Sequence, residues 1–365
     1  MEIFEQNHRN LNEKFTFSSS IANDIWHPKK KRESYEWWYF DALSDDGNEA
    51  IAITFLDNYI FSPRYNAHVL EGSQTGLHTT NGNAKTSKFP ALVFVYYRDG
   101  KAVYRAISEY PASEFSSSVD NPECTIGKNS FRFESAPYGD GYSITIDTKL
   151  GKNQRIRANF EWLSIESNFE TSEESSSGSG HWWNLVAPRA DVTGRITLTN
   201  KSGKTLEEIN FGGTGYHDHN HDDRWLPDTL KSWQRGRVHF PDLTAVFFRY
   251  NESGSDRTLT KLLLIRDGKL KVSDAVSDAQ KFSRNVFGLK YPSKFQITDT
   301  DNVSLKIKQK VIAESTFFYL RFFAEMTLSL EDGKPRKGIS ITEHLAPRGL
   351  KYRWLDWLTS LRLSK

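Results

Sequence analysis

Six consecutive residues, Tyr35-Glu36-Trp37-Trp38-Tyr39-Phe40, contain five aromatic side chains. Neighbours along a strand point to opposite faces, so one face of one sheet cannot hide them all. Such a segment needs apolar surroundings on both sides. One side is a core, and the other is a cavity, a second layer or an interface; the alternative is simply a dense core strand. Glu36 is the exception within the block, either buried with a partner or facing solvent. The 10 Trp, 15 Tyr and 24 Phe make up 13% of the chain, while all hydrophobic residues reach only 37%. About a third of the apolar material is therefore aromatic, which suits a β-rich fold with an aromatic interior.

Strand signals continue through the chain. Ala91 to Tyr97 and Ala102 to Ala106 flank Asp99-Gly100, a pair that supplies the positive φ angles of a tight hairpin turn. Phe131 to Glu134 with Tyr142 to Asp147, and Val192 to Leu198 with Leu206 to Phe211, read as two more hairpins. Ile156, Ala158, Phe160 and Trp162 alternate with polar partners, the mark of a half-buried strand. The same style runs from Leu243 to Glu343. At roughly 100–200 residues per domain, 365 residues predict two domains. Residues 1–28 read as a polar arm, 29–226 as a first barrel, 227–346 as a second and 347–365 as a basic amphipathic tail helix. Residues 171–180, rich in Ser, Glu and Gly, read as a loop. The expected class is all-β, with two tandem antiparallel barrels and a short C-terminal helix.

Several classes are excluded. A single cysteine, Cys124, rules out an intramolecular disulfide framework and a multi-cysteine zinc site. A net charge of +2 argues against nucleic-acid binding through a global basic field. No apolar run reaches the length of a membrane span, and the N-terminus lacks a secretory pattern, so the expected location is the cytoplasm. The tail places Leu350, Trp354, Trp357, Leu358 and Leu361 at helical spacing among basic residues. Two roles fit it: packing a Trp face over a barrel mouth, or peripheral contact with a membrane surface.

Two further blocks carry chemistry. In His181-Trp182-Trp183-Asn184, strand parity puts His181 and Trp183 on one face and Trp182 on the other. In Tyr216-His217-Asp218-His219-Asn220-His221, parity groups Tyr216, Asp218 and Asn220 against His217, His219 and His221. Three readings fit the second block. Alternating His with flanking Asp could ligate a metal, although Asp223 stands where a binuclear metallohydrolase spacing would have His. Asp218 could transfer protons, because a carboxyl buried among aromatics is held neutral at ordinary pH. The block could also be a hydrogen-bonded turn network at a barrel end.

Taken together, Tyr35–Phe40, His181–Trp183 with Pro188-Arg189-Ala190, Gly215–Asn220 and Gly338–Leu345 resemble the carotenoid 1,2-hydratase (hydroxyneurosporene synthase) family and its lipocalin-like relatives, over roughly residues 33–363. The resemblance implies two lipocalin-like barrels enclosing an apolar pocket, with Asp218 as the acid and Tyr216, His181 and Trp183 completing the catalytic set. Trp37, Trp38, Tyr39, Trp182 and Asn220 are the expected substrate-binding residues. The implied reaction is hydration of a terminal isoprenoid alkene through a tertiary carbocation, with no metal or other cofactor. Relatives of the family also imply two alternatives: a cyclase or pericyclase acting on a polyene, and a non-catalytic isoprenoid-binding protein. The implied partner is an apolar polyene, and a membrane-resident substrate gives the basic Trp tail a second role.

Overall fold

The computed structural model describes residues 15–74, 88–136, 139–169, 180–255, 258–331 and 333–364. Twelve strands form the first sheet: β1 (Phe15–Ser18), β2 (Tyr35–Ser44), β3 (Glu49–Leu56), β4 (Ala91–Arg98), β5 (Lys101–Glu109), β6 (Phe115–Ser117), β7 (Glu123–Ile126), β8 (Asn129–Ala136), β9 (Gly139–Leu150), β10 (Gln154–Glu166), β11 (His181–Asn200) and β12 (Thr205–Asp222). Eight more close into a barrel: β13 (Leu230–Phe240), β14 (Leu243–Glu252), β15 (Thr258–Arg266), β16 (Lys269–Arg284), β17 (Lys290–Asp299), β18 (Ser304–Ser315), β19 (Tyr319–Ser329) and β20 (Arg336–Leu345). In β10, Ile156, Ala158, Phe160 and Trp162 are buried while Arg157, Asn159 and Glu161 are exposed, as the alternation predicts. Asp99 and Gly100, and again Asp267 and Gly268, take the positive φ angles of their turns.

The all-β class and the short C-terminal helix are as expected. Only the second unit is a closed barrel, however. The first sheet runs β5-β4-β3-β2-β12-β11-β10-β9-β8-β7-β6 and curls until β5 approaches β9. There Ser108 and Tyr110 meet the Thr148 hydroxyl at 3.0 and 3.2 Å. Among the described residues no ladder links β5 to β9: β8 covers β9 only as far as Thr145, and beyond it the two strands meet through side chains.

The N-terminal arm is a correction where it is described. Phe15–Ser18 pairs in parallel with His181–Asn184, in the space that β10 leaves beside the start of β11. Phe15, Phe17, Ile21 and Asp24 are buried. Alternation over only four residues is too short a pattern to stand out against polar neighbours.

One helix lacked a sequence expectation: α1 (Pro63–Gln74). The Ser62 hydroxyl accepts from the Arg64 and Tyr65 amides, and Pro63 suits the first turn. A second short helix, α2 (Leu226–Thr229), links the two units. The tail helix is also corrected. It is broken into 3-10 turns at Pro347–Lys351 and Arg353–Leu355, followed by α3 (Asp356–Ser360). Pro347 and Gly349 disfavour a continuous α-helix at its start. Leu350 is buried, but Trp354 and Trp357 stay 72% and 59% exposed, so no Trp face covers a barrel mouth. Among the described residues, no helix is long and apolar enough to cross a membrane. The Ser/Glu/Gly-rich loop lies outside the described residues, apart from Gly180.

Candidate active site

Strands β2, β12 and β11 lie side by side and settle which aromatic faces which way. Asp218 pairs with Tyr39, Asn220 with Trp37 and Tyr216 with Asp41; across the other edge, Trp183 pairs with Asn220. One face therefore carries Trp37, Tyr39, Tyr216, Asp218, Asn220, His181 and Trp183. It packs against the second barrel. Trp37 stacks on Trp233 at 5.6 Å, and Trp183 on Phe248 at 4.7 Å.

Asp218 is completely buried on this face. Its Oδ2 accepts from the Tyr216 hydroxyl at 2.7 Å, from Trp183 Nε1 at 3.1 Å and from Arg235 Nη1. Its Oδ1 accepts from Asn220 Nδ2 at 3.0 Å. The Asn220 Oδ1 is 3.2 Å from His181 Nε2, and Tyr35 Oη is 3.3 Å from His181 Nδ1. Because Asn220 gives its amide N–H to the carboxylate, its oxygen must accept from His181 Nε2–H, which leaves Nδ1 to accept from Tyr35. His181 thus reaches Asp218 only through Asn220.

Burial dominates the acid's energetics. It pushes Asp218 up from the ordinary carboxylate range, against the opposing pull of Arg235 and the bonds from Tyr216 and Trp183. Burial likewise pushes His181 down to about 4, so its imidazole is neutral.

A cavity of about 90 Å³ lies between the two units. Trp37, Tyr39 and Trp233 supply its aromatic wall, and Arg235, Arg321 and Glu343 its charged wall. The Arg235 guanidinium sits 3.9 Å from the Tyr39 ring centroid and holds Glu343 Oε2 at 2.8 Å as well as Asp218. Arg321 pairs with Glu343 at 2.7 Å and donates to the Tyr97 hydroxyl at 2.6 Å. Tyr97 in turn donates to Glu314, which also receives Arg362 from the tail at 2.8 Å. A chain of alternating charge therefore runs from Asp218 to the C-terminal segment. Burial would raise Glu343, but Arg235 and Arg321 outweigh it and hold the group well below the carboxylate range. Glu314 is held at about 2, with Arg362, Arg321 and Arg105 overcoming its burial.

Arg235, Arg321, Glu343, Glu314 and Arg362 were not among the sequence candidates. A signal existed for one of them. Arg235 and Arg237 share one face with Trp233, an aromatic, and charges alternating beside an aromatic on a strand face are buried only with partners.

Two expected pocket residues are corrected. Trp38 and Trp182 occupy the opposite face, because each is an odd step from its site-facing neighbour. Trp38 stacks on His219 at 4.7 Å, and Trp182 on His221 at 4.5 Å. The three histidines share that face, as parity predicts, but do not converge on a point. His217 Nε2 meets Asp24 at 2.9 Å. His219 sits between Asp24 Oδ1 at 3.2 Å and Glu36 Oε1 at 2.8 Å. Against the cost of its burial, those two carboxylates raise His219 to about 9. Glu36 is thus buried and partnered. His27, Glu36 and His219 place ligand atoms within 4.8 Å of one another, the spacing a metal would require; Glu36 Oε1 already contacts both imidazoles.

A β-barrel joined to a curled sheet, with a buried carboxyl and an aromatic cavity at their junction, defines a lipocalin-like protein built around an acid–aromatic site. Residues 136–365 match the family described as carotenoid hydratase CrtC, and the chain belongs to that family. It is 25% identical over 356 residues to a protein of Chlorobaculum tepidum named hydroxyneurosporene dehydrogenase, covering 95% of this chain and 91% of that one. It is 24% identical to the acyclic carotenoid 1,2-hydratase of Thiocapsa roseopersicina over 59% of this chain and 47% of that one. The crystal structure of CghA with Sch210972 shares the fold at a TM-score of 0.58 and 13% identity, over 90% of this chain and 94% of that one.

Proposed function

We propose that the protein is a hydratase that adds water across the terminal C=C bond of an isoprenoid polyene, with Asp218 as proton donor. Membership of the carotenoid hydratase family supports the reaction class. The observation that carries the assignment of the acid is a contrast among the carboxyls around the cavity. Glu343 and Glu314 are pinned as anions by guanidinium groups, whereas burial raises Asp218. A general acid needs a proton to give, and Asp218 is the one of the three whose surroundings favour holding it.

The cavity is smaller than the 150 Å³ apolar void that accommodates benzene, so it takes a chain end rather than a whole polyene. Arg235 and Tyr39 stand between the cavity and Asp218. An apolar chain end pressing on this wall moves the Arg235 guanidinium toward Glu343, its second carboxylate. Asp218 then loses its nearest cation and takes up a proton on Oδ2, in the position that Arg235 held.

The proton forms a C–H bond with the less substituted alkene carbon, using the π electron pair, and leaves a tertiary cation. The faces of Trp37, Trp233 and Tyr39 stabilise that cation by about 0.5–2 kcal/mol each. The oxygen of water bonds to the cationic carbon, and the water's surplus proton returns to the Asp218 carboxylate. Tyr216 and Trp183 fix Oδ2, while His181 orients Asn220 and Asn220 fixes Oδ1. Every proton step uses this chain's own side chains.

Expression in a lycopene-producing host tests the reading. A hydroxylated pigment made by the wild type and absent with Asp218→Asn supports it. No hydroxylated pigment from the wild type, or full activity in Asp218→Asn, overturns it.

A further inference from the structure

Two exposed apolar ridges flank one loop at the cavity wall. The first is the tail, where Trp354, Trp357 and Leu361 are 72%, 59% and 72% exposed. The second is the end of β16 and the turn that follows it, where Phe282, Val286 and Phe287 are 50%, 89% and 44% exposed. Asn285 ties the second ridge to the loop through Ser315 Oγ at 3.0 Å and the Thr316 carbonyl at 2.6 Å. Phe317 ties the tail to the same loop. Its ring lies so close to Gly349 that a Cβ there would come within 2.7 Å of it. The next residue, Phe318, lines the cavity, as does Arg362, which directly follows the exposed Leu361. At Leu361 and Arg362 the outer apolar surface and the cavity wall are one residue apart in sequence.

Charge is concentrated at the same two segments. Residues 279–298 contain Lys281, Arg284, Lys290 and Lys294 and no Asp or Glu. Residues 346–365 contain five basic residues and one acidic residue, Asp356, although the whole chain is only +2; of the five, Arg362 turns inward to Glu314 and Lys351 also pairs with Asp228. Lys290 lies 4.3 Å from the Phe282 ring centroid, so the second ridge presents a cation beside its aromatic. Beside the tail, Lys231, Arg348 and Lys351 line a surface cleft of about 510 Å³.

Isolated exposed apolar residues are ordinary on a protein surface, but two clusters with Trp and Phe at their crests are not. Trp, Phe and Leu crests with Lys and Arg at their flanks match the boundary between acyl chains and anionic headgroups. We propose that the tail, the β16–β17 turn and the intervening loop 315–318 form a docking surface for an anionic lipid bilayer, with the cleft at Lys231, Arg348 and Lys351 receiving a headgroup phosphate. The surface sets the cavity wall against the phase in which a long polyene dissolves. The docking itself does not depend on the proposed hydration.

Vesicle sedimentation of the full chain tests this without any substrate. Vesicles of phosphatidylcholine alone are compared with vesicles that also contain phosphatidylglycerol. The variants are Trp354→Ala/Trp357→Ala, Phe282→Ser/Phe287→Ser and Arg348→Gln/Lys231→Gln, each checked for folding by circular dichroism. Expected is binding to the anionic vesicles that weakens with salt and falls at least about tenfold in each apolar double variant. The basic double variant should lose the preference for phosphatidylglycerol while keeping residual binding. Absence of binding, or binding that folded variants retain in full, overturns the proposal. So does a concentration-dependent dimer of the wild type that the apolar variants abolish, because the ridges would then cover a second copy. Hydration assays in detergent read the active site separately from this surface.

Discussion

Arg235 donates to the Asp218 carboxyl from a position on the cavity wall. The guanidinium thus separates the buried acid from the space a substrate would fill, and its hold on Asp218 competes with the burial that would keep the acid protonated.

Asp218→Asn should keep the hydrogen bonds from Tyr216 and Trp183 yet remove the transferable proton. Hydration is expected to fall by about 10²–10⁴-fold while polyene binding persists. Product analysis beside a fluorescence-quenching titration checks both halves. Loss of binding together with activity would assign the residue to the fold.

Arg235→Met leaves Glu343 with Arg321 and Tyr319, but strips Asp218 of its cation. Breaking a buried pair on one side costs about 3–5 kcal/mol, less where the orphaned carboxyl can protonate. Urea unfolding should therefore show a loss of about 2–3 kcal/mol. Arg235→Met/Asp218→Asn should recover part of it, because the double variant has no acid left to neutralise.

Adjacent residues give the cleanest contrast. Trp37 faces the cavity and Trp38 the core of the first sheet. Trp37→Ala is expected to raise KM about tenfold or more through lost aromatic contact. Trp38→Ala should cost about 3–5 kcal/mol of stability and leave the KM of the folded fraction unchanged. Equal KM values for the two would contradict the face assignment.

Stability should fall on both sides of neutrality, for different reasons. Folding raises His219 from its ordinary 6.5 to about 9, so its contribution is complete below about 6.5 and is lost as pH rises through 9. That limb amounts to ~3 kcal/mol, and Asp24 and Glu36 are the groups that supply it. Glu314 behaves oppositely. Its pKa falls from 4.5 to about 2, so its contribution is present above about 4.5 and is lost as pH falls through 2. Urea unfolding between about pH 6 and 10 should show the alkaline decline in wild type and a flatter profile in His219→Gln.

Strand periodicity made much of this legible. Parity alone grouped Tyr216, Asp218 and Asn220 apart from the histidines, because side-chain direction along a strand is fixed by covalent geometry. The same parity already set Trp182 apart from Trp183 and sets Trp38 apart from Trp37; the family resemblance, applied to each block as a whole, placed both in the pocket against it. Arg321 and Glu343 escaped for another reason. Arg235 and Arg321 flank Glu343 on neighbouring strands of the barrel, a register set by ladder pairing, and only the docking of the barrel on the first sheet brings Arg235 to Asp218; no local pattern encodes either. The open seam at β9 is of the same kind, since it depends on how far β6–β8 extend the sheet.

The pairing of β2 with β12 joins residues about 180 positions apart, and the cation that answers Asp218 belongs to the strand made next. During synthesis, the first sheet can assemble as soon as Asp222 has emerged, but it then presents Asp218, Trp37 and Trp183 on an uncovered face. That face is buried only once β20 has been made and has zipped against β13. The acid therefore acquires its environment last, and a ribosome-bound chain halted near residue 230 is expected to be both catalytically silent and prone to association through its aromatic surface.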